Sequence, residues 1–119
     1  MTPIDGPRGD VVGWLEDGEY LRDLRGAVIG WLYDDVVHGR RGQHVGYFND
    51  GLFRDNRGAV VGWIEGASGG PVKPVCHVRP VTPVRQVRPV RAVRHVRQVR
   101  AARQIAWSTT SFDEWLRLS

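Results

Sequence analysis

Short runs of alternating apolar and polar residues dominate residues 1–70, and one pattern occurs there four times. Each copy contains a valine or isoleucine, then a glycine, then an aromatic residue, with an Arg-Gly pair whose glycine lies four residues earlier. The four central triplets are Val12-Gly13-Trp14, Ile29-Gly30-Trp31, Val45-Gly46-Tyr47 and Val61-Gly62-Trp63. Their glycines are 17, 16 and 16 residues apart, which indicates an internal repeat.

Each copy predicts two short antiparallel strands. Asp-Gly between apolar runs favours a hairpin, because a type I′ turn needs positive φ at both central residues. Such turns are predicted at Asp17-Gly18 and Asp50-Gly51, with Asp34-Asp35 as a weaker equivalent. The Arg-Gly pairs supply the other turns. Four hairpin units then give eight strands in a closed or nearly closed ring, which leaves few exposed strand edges.

The strand pattern also predicts which side chains share a face. By alternation Val12 lies on the face of Trp14, and the other copies follow the same rule. The central glycines lie between apolar residues of the opposite face, so both faces are largely apolar. A glycine inside a strand indicates close approach of another backbone or a large side chain. A ring of this size has a small core, so we expect another part of the chain to cover it.

Valine occupies every third position from Val72 to Val99, and a basic residue usually follows it. A period of three matches polyproline II, which has three residues per turn and tolerates proline. Five of the seven prolines lie between positions 71 and 89, so we expect polyproline II over at least 71–90. Residues 90–104 contain no proline and are compatible with polyproline II, an α-helix or a 3₁₀-helix.

The valine edge predicts that this tail packs on the apolar surface of the ring, with its arginines facing outward. A free arm that binds nucleic acid or a membrane and a bridge between subunits are the two alternatives. The candidate anion-binding residues are Arg79, Arg85, Arg88, Arg91, Arg94, Arg97 and Arg100.

The last segment carries a capping-box pattern, in which Ser111 is the N-cap and Glu114 follows three residues later. It predicts a short helix over 112–118 with Phe112, Trp115 and Leu116 on one side. We expect this helix to pack as a lid, because seven residues bury too little apolar surface for stable membrane anchoring.

Charge divides the chain near 66–71. Residues 1–70 have seven arginines and eleven carboxylates, a net charge of −4, whereas residues 71–119 have ten basic and two acidic groups, a net charge of +8. Covalent joining keeps the two parts at an effective concentration on the order of millimolar, which favours docking. We therefore divide the chain into a four-repeat ring (1–70), a Val/Arg/Pro tail that packs on it (71–106) and a Trp-containing segment with a short helix (107–119).

Little in the sequence indicates catalysis. Cys76 cannot form an internal disulfide, no run of 18 apolar residues predicts a spanning helix, and the N-terminal residues lack the apolar core of a secretory signal, so we expect a cytoplasmic protein. The four histidines lack metal-ligand spacing, so we expect no metal and no cofactor. Pairs such as Glu16 and Asp17 lie at hairpin tips, where carboxylates are ordinarily solvated. We expect no enzymatic activity.

Four Arg-Gly-x-x-Val-Gly-aromatic units, followed by GGPVKPV, a basic period-three stretch and WSTTSFDEW, resemble the four-fold beta-flower family. The resemblance implies an all-β, four-fold pseudo-symmetric ring of short antiparallel hairpins, known mainly from bacterial sequences. It implies no enzymatic activity and no catalytic residues. Here the ring is followed by the polyproline-II-like tail and the short C-terminal helix. The third unit departs from the pattern, because His38-Gly39 stands where other units have an acidic turn.

Two functions are compatible with these features. The first is a non-catalytic binding or assembly module, whose acidic and arginine-rich rims suit self-association or an anionic partner. Its aromatic set is expected in the core, but on an open face it would hold an apolar or cationic ligand. This candidate aromatic face comprises Trp14, Trp31, Tyr47 and Trp63. The alternative is binding of nucleic acid or an acidic lipid surface through the arginine-rich tail, with affinity that falls steeply with salt.

Overall fold

The computed structural model describes residues 1–74, 82–89 and 103–118. Several sequence-based predictions lie outside these residues: those for Cys76, for the conformation of 90–102, and for the anion-binding candidates Arg79, Arg91, Arg94, Arg97 and Arg100.

Eight antiparallel strands form a closed barrel in which each strand pairs with its neighbours in sequence, and the first pairs with the last. The strands are β1 (Thr2–Asp5), β2 (Val11–Glu16), β3 (Tyr20–Arg22), β4 (Val28–Tyr33), β5 (Val36–Gly39), β6 (His44–Asn49), β7 (Leu52–Asp55) and β8 (Val60–Trp63). A single helix, α1 (Phe112–Leu118), follows among the described residues. The predicted all-β ring of hairpin units with a short C-terminal helix is confirmed.

Two kinds of turn define the two ends of the barrel. The turns at the acidic end join β2 to β3, β4 to β5 and β6 to β7. In the first of these turns Asp17 and Gly18 have φ of 54° and 65°, as a type I′ turn requires. The Arg-Gly end carries the turns that lead from β1 to β2, β3 to β4, β5 to β6 and β7 to β8. In each of these turns the glycine N–H donates to the carbonyl three residues earlier, as Gly26 does to Asp23 at 3.1 Å.

The predicted face of the valines is wrong, because a bulge interrupts the alternation in every repeat. In the first repeat Ile4 pairs with Gly13 and Asp5 pairs with Val11, so Val12 is an extra residue with no partner of its own. Equivalent register shifts follow Leu21, Val37 and Phe53. The bulged valine or isoleucine therefore packs with the interior cluster, which includes Ile29, Val45 and Val61.

Helix α1 fills the interior at the Arg-Gly end. Its side chains Phe112, Trp115 and Leu116 are buried in the same cluster as the barrel interior. A Cβ added to Gly13 would lie 2.6 Å from the Phe112 ring, and one added to Gly46 would lie 2.8 Å from Trp115. The helix thus supplies the large side chains whose approach the strand glycines predict. Its N-cap is the predicted one, since Ser111 Oγ accepts the Glu114 N–H at 3.3 Å.

Candidate functional site

Aromatic and polar side chains alternate around the outside of the barrel. In four strand pairs an aromatic residue lies opposite a polar one, and all eight residues are buried. The pairs are Trp14 with Arg22, Trp31 with His38, Tyr47 with Arg54 and Trp63 with Asp5. The candidate aromatic face is therefore a buried layer and offers no open surface to a ligand.

Arg22 is the best-connected polar residue of this layer, and its side chain is 1% exposed. Its Nε and Nη2 atoms donate to Glu16 Oε1 at 3.1 and 3.0 Å. Its Nη1 atom donates to the backbone carbonyl of Gly26 and, at 2.9 Å, to that of Gln86. A buried arginine thereby joins an Arg-Gly turn of the ring to a residue of the tail.

Arg54 has the same role in the fourth repeat. Its Nη1 atom donates to the carbonyls of Gly58 and Gln104, both at 2.5 Å. The residue equivalent to Glu16 is Asn49 here, so burial and the charge of nearby Arg103 lower the pKa of Arg54. Reasoning from sequence missed both arginines. The available signal was the matching Leu-Arg-Asp and Phe-Arg-Asp of residues 21–23 and 53–55.

Gln86 and Gln104 dock on the second and fourth repeats through corresponding atoms. The Gln86 backbone N–H donates to Gly26 O and its Nε2 to Arg25 O, each at 3.2 Å. The Gln104 backbone N–H donates to Gly58 O at 3.0 Å and its Nε2 to Arg57 O at 2.8 Å. With the arginine contact, each glutamine makes three hydrogen bonds. We call these groups sockets: socket two is Arg22, Arg25 and Gly26, and socket four is Arg54, Arg57 and Gly58.

After socket four the tail continues beside β8. The Val60 N–H donates to Ala106 O at 2.9 Å, and the Ser108 N–H donates to Val60 O at 2.7 Å. Trp107 forms a parallel bridge with Val60. This pairing places a short stretch of the tail beside the start of β8, and the chain then continues toward α1.

The arginine before each glutamine binds a carboxylate at the acidic end. Arg85 Nη1 lies 3.0 Å from Glu16 Oε2, and Arg103 Nη1 lies 3.2 Å from Asp50 Oδ2. Arg88 Nη2 lies 2.8 Å from Asp17 Oδ2, and its guanidinium carbon is 4.0 Å from the centre of the Tyr20 ring. The anion-binding candidates Arg85 and Arg88 therefore contact carboxylates of the ring itself.

The prediction that the valine edge packs on the ring is wrong at the described positions. Val84 and Val87 are 87% and 94% exposed, whereas the backbone and the arginines of the same segment contact the ring. The interior of the barrel is already filled by α1, so no apolar surface there is left for the valines. The ring offers this segment carbonyl and carboxylate oxygens instead, and these select its N–H groups and guanidinium groups.

Glu16 is the carboxylate on which the ring and the tail converge. It is 1% exposed and contacts Arg22, Arg85 and Arg88. Burial by itself would raise the pKa of Glu16, but the hydrogen bonds and charges of Arg22 and Arg88 outweigh burial and hold that pKa below its ordinary value of 4.5. The same contacts with Glu16 and Asp17 outweigh desolvation and raise the pKa of Arg88.

The third repeat forms the same kind of Arg-Gly turn as the second repeat, but different side chains stabilise it. In the second repeat Asp23 Oδ1 accepts the N–H of Arg25 at 2.9 Å. In the third, Gln43 Oε1 accepts the N–H of Arg41 at 2.9 Å, which replaces the missing acid. His38 stands at the position of Arg22, and its Nδ1 lies 3.1 Å from Gly42 O. The departure at His38-Gly39 changes the side chains of the repeat and leaves its fold intact.

Within the described ranges no three His, Cys, Asp or Glu side chains are grouped as a metal ion would require. Among the residues that the structure describes, no helix is both long enough and apolar enough to cross a membrane.

The family model for the 4-fold beta flower protein matches residues 5–116. The chain belongs to this family. The match extends beyond the barrel across the tail and most of α1, so the beta-flower family includes the docked segments as well as the ring. No curated protein and no solved structure matches the chain. The beta-flower assignment supports the fold and carries no biological role.

Proposed function

We propose that this beta-flower protein is a non-catalytic binding and assembly module whose ring holds extended basic polypeptide in sockets at the Arg-Gly end. One observation carries the proposal. Gln86 and Gln104, 18 residues apart in sequence, make the same three hydrogen bonds to alternate repeats. Two independent segments that meet one repeated surface in one way are typical of a binding motif with a defined preference.

The chemistry of a socket matches one extended residue. Two carbonyls accept a backbone N–H and a side-chain N–H, and one guanidinium donates to the residue's carbonyl. Main-chain groups of an extended segment have no partners of their own, so such contacts satisfy them. The carboxylate at the acidic end, Glu16 or Asp50, then favours arginine at the preceding position. The preferred ligand is therefore an Arg-Gln pair in extended chain.

The test compares two double variants of the full chain. Gln86→Ala with Gln104→Ala removes one side-chain hydrogen bond from each socket, whereas Val84→Ala with Val87→Ala changes only exposed side chains. Loss of a bond worth about 1 kcal/mol makes local opening about fivefold more frequent. We expect trypsin to cleave after Arg85 and Arg103 about that much faster in the glutamine variant. Equal cleavage rates in the two variants would contradict the proposal.

Binding of an anionic polymer or an acidic lipid surface through the tail is the second candidate function. The observation that favours it is that Arg85 and Arg88 remain 59% and 41% exposed while they contact the ring. A phosphate group would compete for them with Glu16 and Asp17.

Titration of the full chain with DNA, RNA and acidic vesicles at two salt concentrations tests this second function. We expect affinity to fall steeply with salt. Asp17→Asn should tighten binding, because it releases Arg88 from a competing carboxylate. Absence of binding at low salt would reject this function and leave the first one standing.

A further inference from the structure

The carboxylate that pairs with the buried arginine of socket two is replaced by an amide beside socket four. Arg22 Nε and Nη2 donate to Glu16 Oε1 at 3.1 and 3.0 Å, and Arg85 Nη1 lies 3.0 Å from Glu16 Oε2. One carboxylate is thus held between two guanidinium groups. Asn49 stands at the position of Glu16 in the fourth repeat, and its amide carries no charge to balance an arginine.

Arg54 has two donor atoms outside the contacts of socket four. Its side chain is 7% exposed, and its hydrogen bonds to described residues come from Nη1 alone, which donates to Gly58 O and Gln104 O. The remaining atoms, Nε and Nη2, are the pair that Arg22 uses for its carboxylate. The polar atoms that are fully enclosed and lack a hydrogen bond within the described residues do not include these two, so both are accessible to solvent.

Arg54 lines a cavity with room for a small organic acid. The cavity has a volume of about 380 Å³ and lies between the β6–β7 hairpin, residues 68–70 and residues 103–105. Pockets for small molecules commonly have volumes of about 300–1,000 Å³. A buried guanidinium in the wall of a cavity of this size gives a ligand both a binding partner and space.

The charges at this cavity favour an anion. Arg103 brings a second guanidinium, whose Nη2 donates to Asn49 Oδ1 at 3.1 Å and whose Nη1 donates to Asp50 Oδ2 at 3.2 Å. Burial and the charge of Arg103 lower the pKa of Arg54, against a smaller opposite effect of Asp50. An anion between the two guanidinium groups would supply the balancing charge that Glu16 provides beside socket two.

We propose that the cavity beside Arg54 binds the carboxylate group of a small organic acid, which Arg54 Nε and Nη2 hold as Arg22 holds Glu16. A singly charged carboxylate suits the cavity better than a doubly charged phosphate, because Asp50 also lines it. The inference goes beyond the proposed function and does not depend on it. Socket four uses Nη1 of Arg54, whereas the carboxylate uses the other two nitrogen atoms.

The test follows the arginine Nε–H signals of the ¹⁵N-labelled full chain during titration with sodium acetate. Sodium chloride at equal concentrations is the control, and Arg54→Lys identifies the Arg54 signal by its loss. We expect acetate to shift the Arg54 signal in a saturable way, beyond any response to chloride. The Arg22 signal should stay in place, because Glu16 already accepts from its Nε and Nη2 atoms.

Two substitutions of equal size sharpen the test at position 49. Asn49→Glu gives the fourth repeat its own carboxylate, whereas Asn49→Gln keeps a neutral amide. We expect Asn49→Glu to bind acetate about tenfold more weakly than Asn49→Gln, because a tethered carboxylate competes for the same N–H groups. Asp50→Asn removes a repelling charge and should tighten acetate binding by about twofold to fivefold.

The outcomes that overturn the proposal are equally specific. If the Arg54 signal shows no saturable response to acetate beyond that to chloride, the site is rejected. Equal shifts at Arg22 and Arg54, or equal acetate affinities of Asn49→Glu and Asn49→Gln, reject it too, because acetate then binds elsewhere. Tighter binding of inorganic phosphate than of acetate rejects the preference for a carboxylate.

Discussion

Helix α1 and tail segment 82–89 dock on the same barrel through opposite chemistry. The helix buries Phe112, Trp115 and Leu116 in the interior cluster. The tail segment leaves its valines in water and binds through backbone, amide and guanidinium groups. Burial of an apolar side chain removes its surface from water, which is favourable. A hydrogen bond within the protein instead replaces a hydrogen bond between the protein and water, so it contributes only about 1 kcal/mol. The helix therefore contributes more to the stability of the barrel than the tail segment, which is held by weaker polar contacts.

Trp115→Ala should have the largest effect on this comparison. The side chain is buried against Gly46, and its Nε1 donates to Val45 O at 2.8 Å. Its loss should reduce the free energy of unfolding by about 3–5 kcal/mol in urea titrations. Glu114→Gln, on the exposed side of the same helix, keeps a side chain that suits the capping box and should change it by less than about 0.5 kcal/mol. A small effect of Trp115→Ala would mean that α1 is no part of the core.

Glu16→Gln should come next, because it leaves Arg22 buried without a carboxylate. We expect a loss of about 3 kcal/mol in the free energy of unfolding at neutral pH. Asp17→Asn is the matched control on the exposed hairpin tip and should change stability by less than about 0.5 kcal/mol. If the two substitutions have equal effects, the buried ion pair is not important for the fold.

The pH dependence of that difference sharpens the test. The folded-state pKa of Glu16 lies below 4.5, so its contribution is fully present above that value and is lost as the pH falls through the lower folded pKa. The gap in stability between wild type and Glu16→Gln should therefore be widest near neutral pH and narrow in acid. A gap that stays constant down to the acid limit of folding would contradict the pairing.

Comparison of Gly26→Ala with Gly18→Ala should distinguish the effect of backbone strain from the effect of displacing the tail. Both glycines have positive φ, so each substitution should cost about 1–2 kcal/mol. A Cβ on Gly18 meets nothing within 4 Å, whereas one on Gly26 meets the carbonyl oxygen of Val84. Only Gly26→Ala should therefore speed tryptic cleavage after Arg85. Similar cleavage in both variants would show that the tail does not lie against Gly26.

Arg88→Ala should have the smallest effect, and one that salt removes. The ion pair of Arg88 with Asp17 is exposed, and such pairs are weak and are screened at high ionic strength. Glu16, the other partner of Arg88, keeps Arg22 and Arg85. Cleavage after Arg85 should be faster than in the wild type at low salt and equal to it near 1 M salt. The stability loss of Trp115→Ala should persist at both salt concentrations, since it reflects apolar burial. A salt-insensitive effect of Arg88→Ala would point to packing of its side chain on Tyr20.

The strands and the helix could be predicted because their signals are local. An Asp-Gly turn at Asp17 or a capping box at Ser111 specifies its own backbone. The face of Val12 could not be predicted, since a bulge adds one residue to a strand and leaves no mark in the alternation. Arg22 was missed because buried arginine is uncommon, and its burial depends on Glu16 across the hairpin.

The period of three in the tail was visible, but which edge meets the ring was not. Val84 is exposed because α1, which is distant in sequence, fills the barrel interior. Whether α1 or the valines of the tail fill the interior depends on the whole chain, so the tail pattern alone could not predict it. The part of the site that the sequence did contain is the pairing of Arg with Gln at 85–86 and 103–104, whose meaning depends on carbonyls that only the folded turns bring together.

One asymmetric plug sits among four copies of nearly the same strand pair. Phe112 faces Gly13, Trp115 faces Gly46 and Leu116 faces Gly30, so copies that share a backbone pattern meet unlike neighbours. Exchanging one of these strand pairs for another would bring a different helix side chain against its glycine. The C-terminal helix therefore makes the first three copies of the strand pair non-equivalent, because their glycines meet three different side chains.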